Sequence, residues 1–305
     1  MRALVTGAGG FGGRHLVAAL RERGDDVDAP SSSEVDLVRD GALSALDGAR
    51  YDRIYHLAAW TRAGRFCQER GGDQWVVNGR VNTNVLDWWR ERQPQAKLVA
   101  FGTSASYAGT GVHREEDYLD GVPPAGYFAY AMTKRMLLAG LMELGRQYGL
   151  RWLYLVPSTV YGPDYHTDGR DLHFVYDLAR KIVRGRDLDE EVVLWGDGTQ
   201  RRELVHVHDV VGAVLGLADA ADGEVVNLGA GEDHSIGEIA RMLCDVAGYP
   251  FERIRFDPDR FVGAAAKVLA TDRLDALLPQ RPRTPLREGL EQVVEWTERN
   301  LGALG

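Results

Sequence analysis

The feature that most constrains the fold of this chain is a glycine-rich segment near its N-terminus. An apolar run at residues 3–5 leads into Thr6-Gly7-Ala8-Gly9-Gly10-Phe11-Gly12-Gly13, and a helical pattern follows. Glycines let a backbone turn tightly and approach a pyrophosphate, and the start of the next helix offers free amides and a positive dipole end. Two registers fit, Gly7-x-Gly9-x-x-Gly12 and Gly7-x-x-Gly10-x-x-Gly13. The context predicts a dinucleotide-binding turn that includes Phe11.

The rest of the first half alternates between two patterns. Strand patterns occur at residues 26–29, 53–59, 97–101 and 152–156, and helical patterns at 11–23, 76–92 and 130–148. This alternation predicts right-handed crossovers and a parallel sheet. After Pro163 the rhythm changes without a clear linker. We therefore expect an α/β protein: a Rossmann-type doubly wound parallel sheet with a smaller, interleaved C-terminal substrate-binding lobe. The expected boundaries are 1–162 plus about 203–231, and 163–202 plus about 232–305.

Composition excludes several classes of protein. The chain has 305 residues and a net charge of −9, which disfavours nucleic acid and anionic membranes as partners. No apolar run reaches the roughly 18 residues of a membrane span. The chain enters the first strand pattern directly, so no signal peptide is expected. Cys67 and Cys244 have no metal or redox spacing, and His206-x-His208 lacks a third ligand nearby. We expect a cytoplasmic protein that binds no metal.

The end of the second predicted strand bears on the choice of cofactor. An acidic residue there would favour NAD, because it binds the ribose 2′-hydroxyl and repels a 2′-phosphate. Here the strand is followed by Pro30-Ser31-Ser32-Ser33, and Asp28 lies early. Ser31 and Ser32 tolerate a phosphate, although no arginine lies beside them. The sequence favours NADP, with NAD as the open alternative.

Tyr130 and Lys134 form the strongest chemical signal. They lie at positions i and i+4 of a predicted helix and so share a face. A tyrosine hydroxyl has a reference pKa near 10, and a neighbouring ammonium is expected to lower it. Lysine is rare in this chain, because only four of the 36 Lys and Arg residues are lysines. The pair therefore predicts a general acid–base site.

A hydroxyl group follows another predicted strand. Residues 98–101 end in Gly102-Thr103-Ser104-Ala105-Ser106-Tyr107. Ligands of a parallel sheet bind beyond the carboxyl ends of its strands. Thr103 or Ser104 is therefore expected to donate a hydrogen bond to a substrate oxygen.

With these motifs the sequence resembles the extended short-chain dehydrogenase/reductase family of nucleotide-sugar epimerases, dehydratases and reductases. The resemblance covers nearly the whole chain and favours the register Gly7-x-x-Gly10-x-x-Gly13. It implies that Tyr130 and Lys134 are the catalytic pair and also contact the cofactor. Further cofactor contacts that it implies are Asp36, Leu37, Leu57, Ala58, Ala59, Pro157 and Thr159.

Within that family the chain is most similar to the GDP-fucose synthase-like branch. Aligning the Thr103 segment on Tyr107 makes Thr103 the catalytic hydroxyl, whereas aligning it on Gly109 selects Ser104. The resemblance places His173 where the branch has an acid/base histidine, and it implies a homodimer. Substrate contacts that it implies are Lys181, Trp195, Arg202 and, more weakly, Lys267.

One departure narrows the expected reaction. The branch carries a cysteine where this chain has Ala105, and 4,6-dehydratases carry an acid there. Alanine can neither take a proton nor donate one, so double epimerisation and dehydration are disfavoured. What remains is hydride transfer at C4 of a nucleotide-activated 4-keto sugar, and the resemblance favours GDP as its nucleotide. The alternatives are a redox-neutral C4 epimerase with tightly held NAD and a non-catalytic NADP-sensing scaffold.

Overall fold

The computed structural model describes residues 1–259 and 267–304. The strands in these ranges are β1 (Arg2–Thr6), β2 (Asp26–Asp28), β3 (Arg53–His56), β4 (Lys97–Phe101), β5 (Gly111–His113), β6 (Trp152–Pro157), β7 (Thr159–Tyr161), β8 (Val192–Trp195), β9 (Arg201–Arg202), β10 (Leu204–His206), β11 (Glu224–Leu228), β12 (His234–Ser235), β13 (Ile254–Asp257) and β14 (Lys267–Leu269). The α-helices are α1 (Phe11–Glu22), α2 (Phe66–Glu69), α3 (Gly71–Arg92), α4 (Phe128–Tyr148), α5 (Phe174–Leu188), α6 (Val207–Ala220), α7 (Ile236–Ala247), α8 (Asp272–Leu277) and α9 (Leu286–Leu304).

The central sheet has six strands, in the order β11-β6-β4-β3-β1-β2. Every neighbouring pair in it is parallel. The predicted doubly wound α/β fold is confirmed. One predicted strand is shorter than expected: β3 ends at His56, because the chain leaves the sheet at Leu57 to pass beneath the glycine-rich turn.

Helices cover both faces of this sheet because its strands are buried on both sides. In β4, Leu98 and Ala100 belong to a hydrophobic cluster with α3 and α4, whereas Val99 and Phe101 belong to a cluster with α1 and α6. This alternation follows from the two-residue period of a strand. Because these strands are all parallel, their carboxyl ends lie at one edge of the sheet, between the two layers of helices.

The later elements build a second body of structure. Helices α5, α7 and α9 share a third hydrophobic cluster, which includes Val175, Leu243 and Val293. Small two-stranded sheets join β7 to β10, β8 to β13, β5 to β14 and β9 to β12. None of the helices in the described ranges is long and apolar enough to cross a membrane.

Candidate active site

The glycine-rich turn joins β1 to α1, and only some of its glycines are sterically required. Gly7 has a φ of +75°, and a Cβ on it would lie 2.6 Å from the amide nitrogen of Ala58. A Cβ on Gly13 would collide with the carbonyl oxygen of Gly7, and Gly10 donates its amide to the same oxygen at 3.0 Å. A Cβ on Gly9 would meet nothing within 4 Å. The positions with the least room for a side chain are therefore those of the register Gly7-x-x-Gly10-x-x-Gly13.

The loop after β2 contains a carboxylate that the sequence analysis did not consider. Ser31 donates both its amide, at 2.8 Å, and its hydroxyl, at 2.7 Å, to Glu34. These hydrogen bonds lower the pKa of Glu34, so a negative charge lies at the predicted ribose loop. Ser32 is exposed beside it. Further along, Leu37 is fixed through its carbonyl oxygen, which accepts from Asn84 of α3 at 2.9 Å.

Helix α4 places Tyr130 and Lys134 on the same side. The Lys134 ammonium lies 5.9 Å from the centroid of the Tyr130 ring. The Lys134 residue is only 3% exposed, and Nζ donates to the carbonyl oxygen of Phe101, at the end of β4, at 2.7 Å. Because burial disfavours the charged form, the pKa of Lys134 falls to about 8.

The acidity of Tyr130 differs from the expectation. Burial raises the pKa of its phenol above the ordinary value, and the charges of Tyr118 and Cys67 act in the same direction. The Lys134 ammonium, 5.9 Å from the ring centroid, donates to a main-chain oxygen. Tyr130 therefore holds its proton at neutral pH, as a proton donor must.

Thr103 and Ser104 lie in the turn that follows β4, close to the lysine anchor at Phe101. The Thr103 hydroxyl oxygen accepts from the amide of Ala105 at 3.2 Å, which leaves its own hydrogen available to a ligand. Thr103 and Ser104 are both half-buried. The geometry therefore keeps both as candidate hydroxyls.

A buried chain of hydrogen bonds connects the glycine turn with the start of α4, and the sequence analysis missed it. Thr6 Oγ1 lies 2.8 Å from His56 Nδ1, and His56 Nε2 lies 3.3 Å from Asn82 Oδ1. Asn82 donates to the carbonyl oxygen of Thr133 at 3.0 Å, and Thr133 donates to that of Tyr130 at 2.8 Å. Complete burial lowers the pKa of His56 to about 3, so this series of hydrogen-bonded side chains is uncharged at neutral pH.

His173 directly precedes α5, in the second body of structure. Burial and the positive charge of Arg202 lower the pKa of His173 to about 4. Its imidazole is therefore neutral at neutral pH, and Nδ1 has no hydrogen-bond partner among the described residues. Burial also lowers the pKa of Arg202, which donates to the carbonyl oxygen of Arg201 at 2.7 Å.

The other predicted substrate contacts fall into two groups. Lys181 and Trp195 meet between α5 and β8, with the ammonium 6.0 Å from the indole and paired with Asp177 at 2.9 Å. Lys267 lies elsewhere: its Nζ donates to the carbonyl oxygen of Tyr107, at the end of the Thr103 turn, at 2.8 Å. Lys267 is therefore anchored at the last residue of the turn that carries the candidate hydroxyls.

The two neighbouring histidines serve a structural contact. His206 Nδ1 accepts the amide of His208 at 3.4 Å and so caps α6. Across residues 1–259 and 267–304, no three His, Cys, Asp or Glu side chains are grouped so as to hold a metal ion.

Comparison with known proteins decides the family. A model described as the NAD dependent epimerase/dehydratase family matches residues 3–229. The chain belongs to this family. The matched range includes the glycine turn, the Thr103 turn, Tyr130 and Lys134. The predicted membership of the extended short-chain dehydrogenase/reductase family is confirmed.

Relatives within the family are named for nucleotide sugars. The chain is 31% identical to a dTDP-4-dehydro-6-deoxy-D-allose reductase of Streptomyces bikiniensis, over 96% of this chain and 95% of the relative. It is 29% identical to a putative GDP-L-fucose synthase 2 of Oryza sativa subsp. japonica, over 88% and 78%. A GDP-L-fucose synthetase from Naegleria fowleri bound to NADP has the same fold, with a TM-score of 0.86 at 21% identity, over 99% and 93%. The prediction of an NAD(P)-dependent enzyme is confirmed.

The glycine turn of this epimerase/dehydratase family member fits the cofactor that the family implies. The main chain at Gly7 and Gly13 is packed too closely for side chains, while Gly9 faces open space. Helix α1 begins directly at this turn and has no acidic residue in its first turn to repel a pyrophosphate. These are the properties that a dinucleotide needs.

Proposed function

We propose that this enzyme reduces the C4 carbonyl of a nucleotide-activated 4-keto sugar. The observation that carries the proposal is the shared position of the Tyr130 phenol and the Lys134 ammonium, which is anchored at Phe101 two residues before Thr103. A proton donor, a cation and a hydroxyl thus converge beyond the end of β4. The names of the relatives support this substrate class, with either dTDP or GDP as the nucleotide.

When bound, the nicotinamide cofactor supplies the hydride, and the side chains of this protein manage the proton and the charge. Tyr130 donates its proton to the O4 oxygen, because its raised pKa keeps the phenol protonated. Lys134 stabilises the phenolate that remains and binds a ribose hydroxyl. Thr103, or Ser104 in its place, hydrogen-bonds the developing oxyanion.

In this proposal a second set of side chains holds the nucleotide sugar. Lys181 and Arg202 contact the diphosphate, Trp195 offers an apolar face to the base or ribose, and Lys267 reaches the sugar from the Thr103 turn. His173, neutral at neutral pH, is available to hydrogen-bond the substrate. NADP is the proposed cofactor, supported by the related synthetase bound to NADP. NAD is the alternative, which the Glu34 carboxylate at the predicted ribose loop favours by repelling a 2′-phosphate.

The test uses Tyr130→Phe, which removes the phenolic proton and leaves the ring. Wild-type protein should oxidise NADPH in proportion to the 4-keto sugar supplied as its dTDP or GDP derivative. Because general acid catalysis contributes about 10²–10⁴-fold, Tyr130→Phe should lose kcat by about that factor and keep its melting temperature. Turnover with retained NAD and no added cofactor would indicate a C4 epimerase instead. A Tyr130→Phe variant with full activity would overturn the catalytic assignment.

A homodimer belongs to the same proposal. Trp75 and Val76 of α3 and Met136 of α4 are 47%, 51% and 37% exposed, and the two helices pack side by side. Such an apolar face is suited to a copy of itself. Light scattering should give twice the chain mass for the wild type and a smaller mass for Met136→Glu. A wild-type monomer at micromolar concentration would contradict it.

The domain boundaries and the location are also proposals. We propose that residues 1–162 plus about 203–231 bind the cofactor and that 163–202 plus about 232–305 bind the nucleotide sugar. Nucleotide sugars and reduced nicotinamide cofactors are both found in the cytoplasm, so we propose a cytoplasmic location.

A further inference from the structure

A single buried phenol holds both ends of the turn that carries Thr103 and Ser104. The Tyr118 hydroxyl accepts the amide of Thr103 at 3.3 Å and donates to the hydroxyl oxygen of Ser106 at 3.0 Å. Tyr118 is 1% exposed, so water does not compete for these bonds. The direction of the turn therefore depends on where this phenol is held.

The phenol also contacts a second phenol, which is bound to the helix that carries Tyr130. The hydroxyl oxygens of Tyr118 and Tyr154 lie 3.1 Å apart, and Tyr154 donates to the carbonyl oxygen of Lys134 at 2.7 Å. Gly102 packs against the same pair, since a Cβ on it would come within 2.7 Å of the Tyr118 hydroxyl oxygen and of the Tyr154 ring. The end of β4 is therefore fitted to these two phenols.

Arg135 makes a second connection to the same turn. It directly follows Lys134 and is 6% exposed. Its guanidinium donates to the carbonyl oxygen of Ser106 at 2.7 Å, and to those of Leu119, Asp120 and Gly121 at 3.2, 2.6 and 2.7 Å. One side chain of α4 thus fixes both the Thr103 turn and the segment that follows Tyr118.

We propose that Tyr118 and Arg135 are positioning residues for the reaction. They do not reach the substrate; they act by holding the Thr103 hydroxyl at a fixed distance and direction from the Tyr130 phenol. This inference rests on the proposed function, because it assigns these residues to the same C4 reduction. Its physical basis is that an error of about 1 Å in the placement of a catalytic group can cost about 10²-fold in rate.

The main test is Tyr118→Phe, which removes one hydroxyl from an otherwise unchanged core. We expect kcat to fall about tenfold, because the amide of Thr103 loses its partner and the turn is free to shift. The KM for the nucleotide sugar and the Kd for NADP⁺ should stay within about twofold. The matched control is Tyr107→Phe. The Tyr107 phenol is also buried and packs against Tyr118, but its hydroxyl donates to Asn227 at 2.7 Å, outside the turn.

A double-mutant cycle separates positioning from a general loss of stability. If Tyr118 acts through Thr103, Tyr118→Phe should change kcat by less than about twofold in a Thr103→Val background. Arg135→Lys keeps the charge but cannot span the four carbonyl oxygens. It should lower kcat in the same way, and again much less in the Thr103→Val background.

The outcomes separate this inference from the proposed function. Wild-type activity together with an unchanged kcat in Tyr118→Phe overturns the inference alone. So does an equal loss in Tyr107→Phe, or a loss that persists undiminished in the Thr103→Val background. A wild type that oxidises no NADPH with any 4-keto sugar nucleotide overturns both.

Discussion

The glycine turn and the proposed nucleotide site at α5 and β8 are built in opposite ways. At the turn, the main chain of Gly7 packs against Ala58, and Gly13 packs against Gly7, so residue identity is imposed by lack of space. In the proposed nucleotide site, Lys181 is partly exposed and Trp195 is largely exposed, and the two side chains come from separate elements. Cofactor binding is therefore sensitive to a single methyl group, whereas each nucleotide contact contributes only a share of the binding.

The largest effect that this contrast predicts is for Gly13→Ala. The added methyl group meets the Gly7 carbonyl oxygen, and neither main-chain segment can move freely. We expect a loss of about 1–3 kcal/mol in stability and no measurable NADP⁺ binding. Gly9→Ala is the control for stability, because its methyl group meets nothing within 4 Å. Thermal melting and NADP⁺ titration measure both effects, and a Gly13→Ala variant with wild-type values would contradict the steric argument.

The next effect concerns pH. The pKa of Lys134 is lowered to about 8, so the ammonium is present below that pH and lost above it. Since kcat/KM reports ionisations of the free enzyme, it should fall about tenfold per unit of pH above about 8. Tyr130 causes no further change of kcat/KM in this pH range because its pKa is raised. His173, with a pKa of about 4, adds none near 6.5.

Lys134→Arg separates this cause from others. Arginine stays charged at every accessible pH, so the variant should be less active but should lose the alkaline decline. An alkaline decline that persists at the same pH in Lys134→Arg would show that another group titrates there.

The smallest effect is expected on the nucleotide side. Lys181 is partly exposed and already paired with Asp177, so its ion pair with the diphosphate should contribute no more than about 1 kcal/mol, and Lys181→Ala should raise the KM of the nucleotide sugar about two- to fivefold. The kcat and the Kd for NADP⁺ should be unchanged. Arg184→Ala is the matched control, because Arg184 lies one turn along α5 and pairs with Glu190 away from Trp195. If Arg184→Ala raises the KM by the same factor, Lys181 makes no specific contact with the nucleotide sugar.

The same contrast explains what could be predicted from the sequence. The sheet was predictable because short strand patterns alternate with helical patterns along the chain. The pair Tyr130 and Lys134 was predictable because helical spacing places it on one face. The raised pKa of Tyr130 was not predictable, since it depends on burial in the assembled fold. The contact between Ser31 and Glu34 was within reach, because a serine followed three residues later by a glutamate is a known local pairing.

The buried polar contacts around the site were out of reach for a different reason. Asn82 meets His56 across 26 residues, and Tyr154 meets Tyr118 across 36. Nothing in the local pattern distinguishes such residues from ordinary polar positions in a helix or a strand. Their partners are defined only once α3, α4 and the central sheet are assembled.

The order of strands in the central sheet has a consequence for how the protein is made. The outermost strand on one side is β11, which ends at Leu228, and the cluster that holds Val5 and Leu16 of the first βα unit also contains Leu274 of α8. A nascent chain leaving the ribosome therefore exposes apolar surface of its earliest βα unit until nearly all of it has been synthesised. Stop codons placed before α8 should yield products that chaperones retain and proteases remove.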